Sequence, residues 1–196
     1  MKKVKAEWLM RNGYRCYAAA FSRYAYATPM DESTWTHGIR STIGWEELFE
    51  YWGVFRDGEL MGYCQAIVDG HEACTNVIKY HPDGLRDYAG YALTHHLLEY
   101  YVKERGYRLS NGSRSISHDT NMQDFLAKFG FRKEYCLLRV AYRPVVDLAV
   151  RALYPFRGLI SSLQGRRAQP VSAILFQEEL KRRCVAGALL QPAMRK

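Results

Sequence analysis

The sequence predicts an α/β (α+β) fold: a mixed, mostly antiparallel sheet flanked by helices, with a helical extension at the C-terminus. Three observations predict it. Two Asp-Gly pairs, Asp57-Gly58 and Asp69-Gly70, stand twelve residues apart between runs rich in aromatic and β-branched residues. A helical stripe of apolar residues follows Pro82, and a second apolar periodicity runs beyond Pro144 through a basic tail.

Taken in order, residues 10–50 are expected to give a strand at 14–20 and then one or two helices. Asp31 or Ser33 suits the cap of a helix through Trp35 and Ile39, and Gly44 breaks the chain before a turn at 45–51. An Asp-Gly pair supplies the positive φ that a tight hairpin turn needs, so the two pairs mark successive hairpins. They join three antiparallel strands at 52–56, 60–68 and 72–80. Pro82 and Asp83 end the third strand. A helix at 88–105 follows, closed by Gly106, with Leu93, Leu97 and Tyr101 on one stripe and Ala92 and Leu98 beside it. Then come a short strand, a polar loop, a second helix ending in Lys128-Phe129-Gly130-Phe131, and a strand at 135–142. The exit from the third strand into a helix leaves a bay of backbone N–H groups suited to an anion.

Pro144 ends the body, residues 1–143, and opens the extension, 144–196. There Val145, Leu148, Ala149, Ala152, Leu153, Phe156, Ile160 and Leu163 fall on one helical face, kinked at Pro155. Pro170 suits the start of a last helix. Its Glu178–Arg182 and Glu179–Arg183 pairs, at i and i+4, each contribute ~0.2–0.5 kcal/mol.

The chain of 196 residues is 48% hydrophobic, enough for one domain with a core plus extensions. No stretch approaches the roughly 20 apolar residues that a membrane-crossing helix needs, and no signal core follows the basic N-terminus, so a cytoplasmic location is expected. The five cysteines show no C-x-x-C spacing, which favours reduced, mostly buried thiols and no metal site. Charge is uneven. Residues 1–131 carry 15 Lys/Arg against 16 Asp/Glu, while residues 132–196 carry 13 against 4, a net +9. The tail therefore points to an acidic partner: nucleic acid such as tRNA, a peripheral anionic membrane surface, or an acidic protein. Its apolar face also suits docking on the body or a homodimer.

His81-Pro82-Asp83, Gly90-Tyr91-Ala92-Leu93 and Phe125-Leu126-Ala127-Lys128-Phe129-Gly130-Phe131 stand in an order that resembles the GNAT superfamily of acyl-CoA-dependent N-acyltransferases, over roughly residues 10–143. Within it the looser glycine pattern and Ser110-Asn111-Gly112-Ser113-Arg114 look closer to the Fem-type branch, which transfers aminoacyl groups from charged tRNA, and to the acetyltransferase-like proteins near it. The family's Arg/Gln-x-x-Gly-x-Gly/Ala turn falls on Leu85 through Gly90. Only Gly90 matches; Leu85 takes the Arg/Gln slot and Tyr88 the middle glycine slot. Asp119 and Leu126 stand where the family has an Asn and a general-acid Tyr.

The resemblance implies acetyl-CoA or another acyl-CoA as donor and the amine of a polar small molecule, a sugar or cell-envelope precursor, as acceptor. Backbone at Val77, Ile78, Lys79 and Tyr80 would take the pantetheine arm. Amides of Tyr88, Ala89, Gly90 and Tyr91, with the Arg86 guanidinium, would take the diphosphate, and Asn121 would contact cofactor or acceptor. Asn111, Ser113, Arg114 and Ser115 would recognise the acceptor. An amine with a pKa near 10 arrives protonated, so a base helps; the candidates are His118, Asp119, His81 and Glu72. Two rival readings stand beside this one: Fem-type transfer from aminoacyl-tRNA, with the basic tail on the RNA, and, because Tyr88 sits where it would crowd the diphosphate, a non-catalytic binding module.

Overall fold

The computed structural model describes residues 1–24, 28–112, 121–134, 139–162 and 169–190. The chain divides into two compact units, Met1–Gly112 and Ser113–Lys196.

The first unit holds a five-stranded sheet in chain order: β1 (Lys2–Val4), β2 (Phe49–Arg56), β3 (Glu59–Asp69), β4 (Glu72–Tyr80) and β5 (Arg108–Ser110). Every neighbouring pair is antiparallel except β4 and β5, which run parallel. The β2–β3 turn has both Asp57 and Gly58 at positive φ, 51° and 84°, as the Asp-Gly pair predicts. In the β3–β4 turn only Gly70 is left-handed, because Asp69 still belongs to β3.

Strand alternation separates two cores. Tyr51, Tyr63 and Val77 face one side; Trp52, Cys64 and Ile78 face the other. The first side is covered by α1 (Ala6–Asn12), α2 (Tyr14–Ala20) and α3 (Glu32–Arg40). Asp31 caps α3, accepting from the Thr34 N–H at 2.9 Å, and Trp35 and Ile39 are buried as expected. The strand expected at 14–20 is instead α2. Cys16, Tyr17 and Ala20 are its buried residues, an i, i+1, i+4 pattern, and the Ala18-Ala19-Ala20 run has the highest helix propensity. The true first strand is β1, which the sequence reading passed over.

The second side is covered by α5 (Ala89–Leu97), preceded by the short α4 (Pro82–Arg86). Leu93, Leu97 and Tyr101 are fully buried, each worth about 1.5–3 kcal/mol relative to exposure. Ala92 is exposed, and Thr94 takes the inner position beside the stripe. The helix loosens into π-helical turns over Leu98–Glu104, with the Arg105 N–H reaching back five residues to Tyr100 O. Tyr101 anchors this stretch. Its hydroxyl accepts from Trp52 Nε1 at 2.9 Å and donates to the buried Glu50 carboxylate at 2.6 Å, which also meets Lys3 and Arg105.

The second unit contains α6 (Met122–Ala127), α7 (Pro144–Leu153), a 3₁₀ turn at Tyr154–Phe156, α8 (Arg157–Ser162) and α9 (Gln169–Leu190). Pro155 sits in the 3₁₀ turn, where the missing N–H interrupts the helix. The expected face of α7 is reversed: Val145 and Leu148 are exposed, and Val150 is the buried residue. Packing against α9 selects the Val150 side. Of the strand expected at 135–142, residues 135–138 lie outside the described residues, and 139–142 have no regular structure. Among the described residues no helix is long and apolar enough to cross a membrane.

Candidate active site

The site is built by one irregularity in β4. The strand pairs with β5 only through Glu72↔Arg108, Ala73↔Leu109 and Cys74↔Ser110. Against β3 its register then jumps from Thr75↔Ala66 to Val77↔Gln65, which leaves Asn76 as a bulge. A bulge bends and twists its strand. Beyond it β4 continues to Tyr80 whereas β5 ends at Ser110, so among the described residues the outer edge of β4 lies open there, a fork in which β5 is the short tine.

The orientation of the free edge follows from one bond. The His81 N–H donates to Met61 O on β3 at 2.9 Å. Backbone groups alternate sides along a strand, so Val77 and Lys79 also turn theirs to β3, while Ile78 and Tyr80 turn theirs to the fork. Of the four residues expected to offer backbone there, two do. At the base of the fork, Thr75 Oγ1 donates to Ser110 O at 3.3 Å and the Asn111 side-chain amide donates to Thr75 Oγ1. Asn111 thus fastens β5 to β4 where the gap begins.

A polar chain reaches the bulge through the core that α1–α3 cover. Asn76 Nδ2 donates to Gln65 Oε1 at 2.8 Å, and Gln65 Nε2 donates to the Tyr51 hydroxyl at 2.7 Å. Tyr51 in turn lies 3.0 Å from Thr42 Oγ1, which donates to Ile39 O at 2.7 Å. Asn76 is exposed yet held in place by this chain. On the same side, Lys79 Nζ stands over the Phe21 and Tyr24 rings at 4.5 and 5.1 Å. Its burial lowers its pKa below the usual lysine value.

At the mouth, the His81 ring caps α4 by accepting from the Asp83 N–H at 3.3 Å. Tyr88 then precedes α5 in the left-handed conformation, φ 60° and ψ 23°, the backbone that a glycine would adopt freely. Its ring is 71% exposed and meets Tyr91 edge-on at 5.9 Å, so it does not fill the bay. No side chain caps α5, whose first amides are those of Ala89 and Gly90. The Tyr88 N–H is already engaged with Leu85 O at 3.3 Å. Arg86, expected on a phosphate, pairs with Asp83 at 3.1 Å, and Arg56 pairs with Asp87.

Other expected residues fall elsewhere. Glu72 lies at the closed end of the β4–β5 pair, 3.3 Å from Arg108, and not at the fork. His118, Asp119, Ser113, Arg114 and Ser115 lie outside the described residues. Asn121 stands at the N-terminal end of α6 and makes no capping bond. Leu126 is buried in α6 and has no proton to give. Cys16 lines a cleft of about 240 Å³ beside His81 and Asp83. Burial pushes its thiol up to about 11, against an opposing bond from the His81 backbone, so it is not a thiolate nucleophile at neutral pH. Asn76 and Gln65 were missed. The available signal was an Asn in mid-strand, a residue that pleated strands disfavour and bulges accept.

No protein-family profile and no curated protein matches the sequence. Solved structures do. The ribosomal-protein-S18-alanine N-acetyltransferase of Escherichia coli is similar at a TM-score of 0.54 with 22% identity, covering 74% of this chain and 84% of that one. A possible acetyltransferase from Clostridium difficile 630 gives 0.58 with 9% identity, over 72% and 96%. The ribosomal-protein-alanine N-acetyltransferase of Brucella melitensis biovar Abortus 2308 gives 0.50 with 15% identity, over 72% and 98%. At such identities the likeness is one of fold.

Proposed function

We propose that this chain, a GNAT-fold protein, is an N-acyltransferase that moves an acyl group, most simply acetyl from acetyl-CoA, to the amine of a polar small molecule. The fork between β4 and β5, opened at the Asn76 bulge and leading to the uncapped start of α5, carries the reading. Its groups suit the donor. Ile78 and Tyr80 present backbone along a slot that takes an extended chain as an added strand. The Ala89 and Gly90 amides, at the positive end of α5, suit a diphosphate. Both residues are themselves buried, while the Tyr88 ring beside them is exposed and does not cover that helix end.

An acyl-CoA in the fork would supply a thioester activated toward amines. The chain's own contribution is then placement and hydrogen bonding. With Nδ2 held by Gln65, Asn76 offers its Oδ1 as an acceptor that orients the incoming N–H. His118 and Asp119 are assigned to proton removal, and Asn111, Ser113, Arg114 and Ser115 to a sugar-like or cell-envelope acceptor. The support for that acceptor class is the run of hydroxyl, amide and guanidinium groups in 110–117.

Calorimetric titration of acetyl-CoA into the whole chain tests the donor site. Saturable heat and a thermal shift that grows with ligand concentration are expected. Absence of both at millimolar acetyl-CoA overturns the proposal.

A further inference from the structure

The α7–α8 segment is apolar on two faces, and among the described residues one of them is packed and the other exposed. Val150 is buried on the side that meets α9. Val145, Leu148, Ala152, Phe156 and Leu159 recur every three or four residues on another side. The four large ones are exposed by 81%, 72%, 56% and 69%. Four such side chains in one stripe exceed the scattered single exposures that a soluble surface normally shows. They need an occupant.

Charge identifies it. Residues 132–196 carry a net +9. Three of their four carboxylates are neutralised within the unit: Asp147 by Arg151, Glu178 by Lys181 and Arg182, and Glu179 by Arg157 and Arg183. Surplus cations remain, among them the exposed Arg132, Lys133, Arg139 and Arg143 ahead of α7. Arg166 and Arg167 follow α8 in the sequence. A second copy of the chain would set one +9 unit against another, which repulsion disfavours. RNA binds cationic surfaces through arginine and stacked aromatic rings, and the aliphatic Val145, Leu148 and Leu159 give it nothing. A negatively charged lipid surface answers both features, with its acyl boundary for the stripe and its headgroups for the arginines.

We propose that the α7–α8 face is a peripheral attachment site for anionic membrane, lying in the headgroup layer with Val145, Leu148, Phe156 and Leu159 inserted. This attachment is independent of the proposed transfer chemistry.

The test is co-sedimentation of the full chain with vesicles of phosphatidylcholine alone or of equal parts phosphatidylcholine and phosphatidylglycerol. Binding to the mixed vesicles, weakened by salt, is expected, with little binding to the neutral ones. Leu148→Glu with Leu159→Glu alters exposed positions only, and should lower the partition coefficient about tenfold or more. Arg139→Gln with Arg143→Gln should lower it on the mixed vesicles alone. Circular dichroism of each variant checks that the helices persist. The site is refuted if the native chain ignores anionic vesicles, or if the double glutamate variant, still helical, binds them undiminished. Retention of tRNA, or dimerisation in ultracentrifugation, that the glutamate variant abolishes while vesicle binding stays absent refutes it equally.

Discussion

The two ends of β4 have opposite fates. Its first three residues are zipped to β5 and closed by surface ion pairing; its last four, past the Asn76 bulge, face no strand on that side among the described residues. Both ends are hydrogen-bonded to β3, so the sheet loses no integrity where the fork opens. The difference shows how a fold makes a binding slot cheaply: it withholds one edge of one strand and leaves the hydrophobic layers untouched. Chemistry should be sensitive to changes at the open end and indifferent to changes at the closed end.

The largest effect is expected at Gly84, where α4 turns across the exit of the open end. A Cβ there would stand 2.4 Å from the Met61 carbonyl oxygen and 2.8 Å from its Cβ, both on β3. Backbone cannot yield as a flexible side chain does. Gly84→Ala should therefore cost about 2–3 kcal/mol, read as a lower urea midpoint. At the closed end, Glu72→Ala breaks an exposed pair and should cost no more than about 0.5 kcal/mol. Equal costs would show that α4 floats on the sheet and that the open end is not rigid.

Activity sharpens the contrast. Asn76→Ala should lower kcat/KM about tenfold, or ~1.4 kcal/mol, and leave the acetyl-CoA dissociation constant unchanged. Gln65→Leu should act in the same direction, because it removes the acceptor that fixes Asn76. Glu72→Ala should leave turnover intact. A fully active Asn76→Ala enzyme, or an inactive Glu72→Ala one, reverses the assignment of the two ends.

What the sequence made legible follows the same divide. The three long strands were readable because Asp57-Gly58 and Asp69-Gly70 carry their own turn chemistry, and the α5 stripe because Leu93, Leu97 and Tyr101 keep helical spacing. The bulge at Asn76 was not readable. It is a mismatch between two strands, and the pattern of either strand alone does not contain it. Residues 14–20 misled because Tyr14, Cys16 and Tyr17 are broken by a single polar residue, Arg15, over a span too short to separate period 2 from period 3.6. The face of α7 misled for another reason: an amphipathic count finds the more apolar side, while packing chose the side that meets Val150. The base assigned to His118 or Asp119 lies outside the described residues and remains a reading of the sequence.

Tyr88 offers a smaller effect at the mouth of the open end. A non-glycine residue in the left-handed region costs roughly 1–2 kcal/mol, and the extra freedom of an unfolded glycine returns part of that. Tyr88→Gly should stabilise the protein by about 0.5–1 kcal/mol and tighten acetyl-CoA binding, since it removes a Cβ from the amides that open α5. Tyr88→Ala deletes the ring and keeps the strained backbone, so it should do neither. Thermal melts with and without ligand distinguish the two variants. Weaker binding by Tyr88→Gly would instead make the exposed ring a ligand contact.

The smallest effect belongs to His96, on the far side of α5 from the fork's solvent edge. Its ring meets Trp52 edge-on at 5.0 Å, and its Nε2 is buried without a hydrogen-bond partner among the described residues. Burial is the main reason its pKa lies below the ordinary histidine value; the N-terminal amine and His95 push the same way, and Glu104 opposes them. The sign follows from proton counting. Above about pH 6.5 both the folded and the unfolded states hold a neutral ring, and stability is unaffected. As pH falls through that value the unfolded chain takes up a proton that the folded ring refuses, so stability declines until the lower folded pKa is passed. His96→Leu should flatten this limb below about pH 6.5 and, by removing an unpaired buried nitrogen, leave the protein at least as stable at pH 7. An acid limb unchanged in the variant would remove His96 from the account.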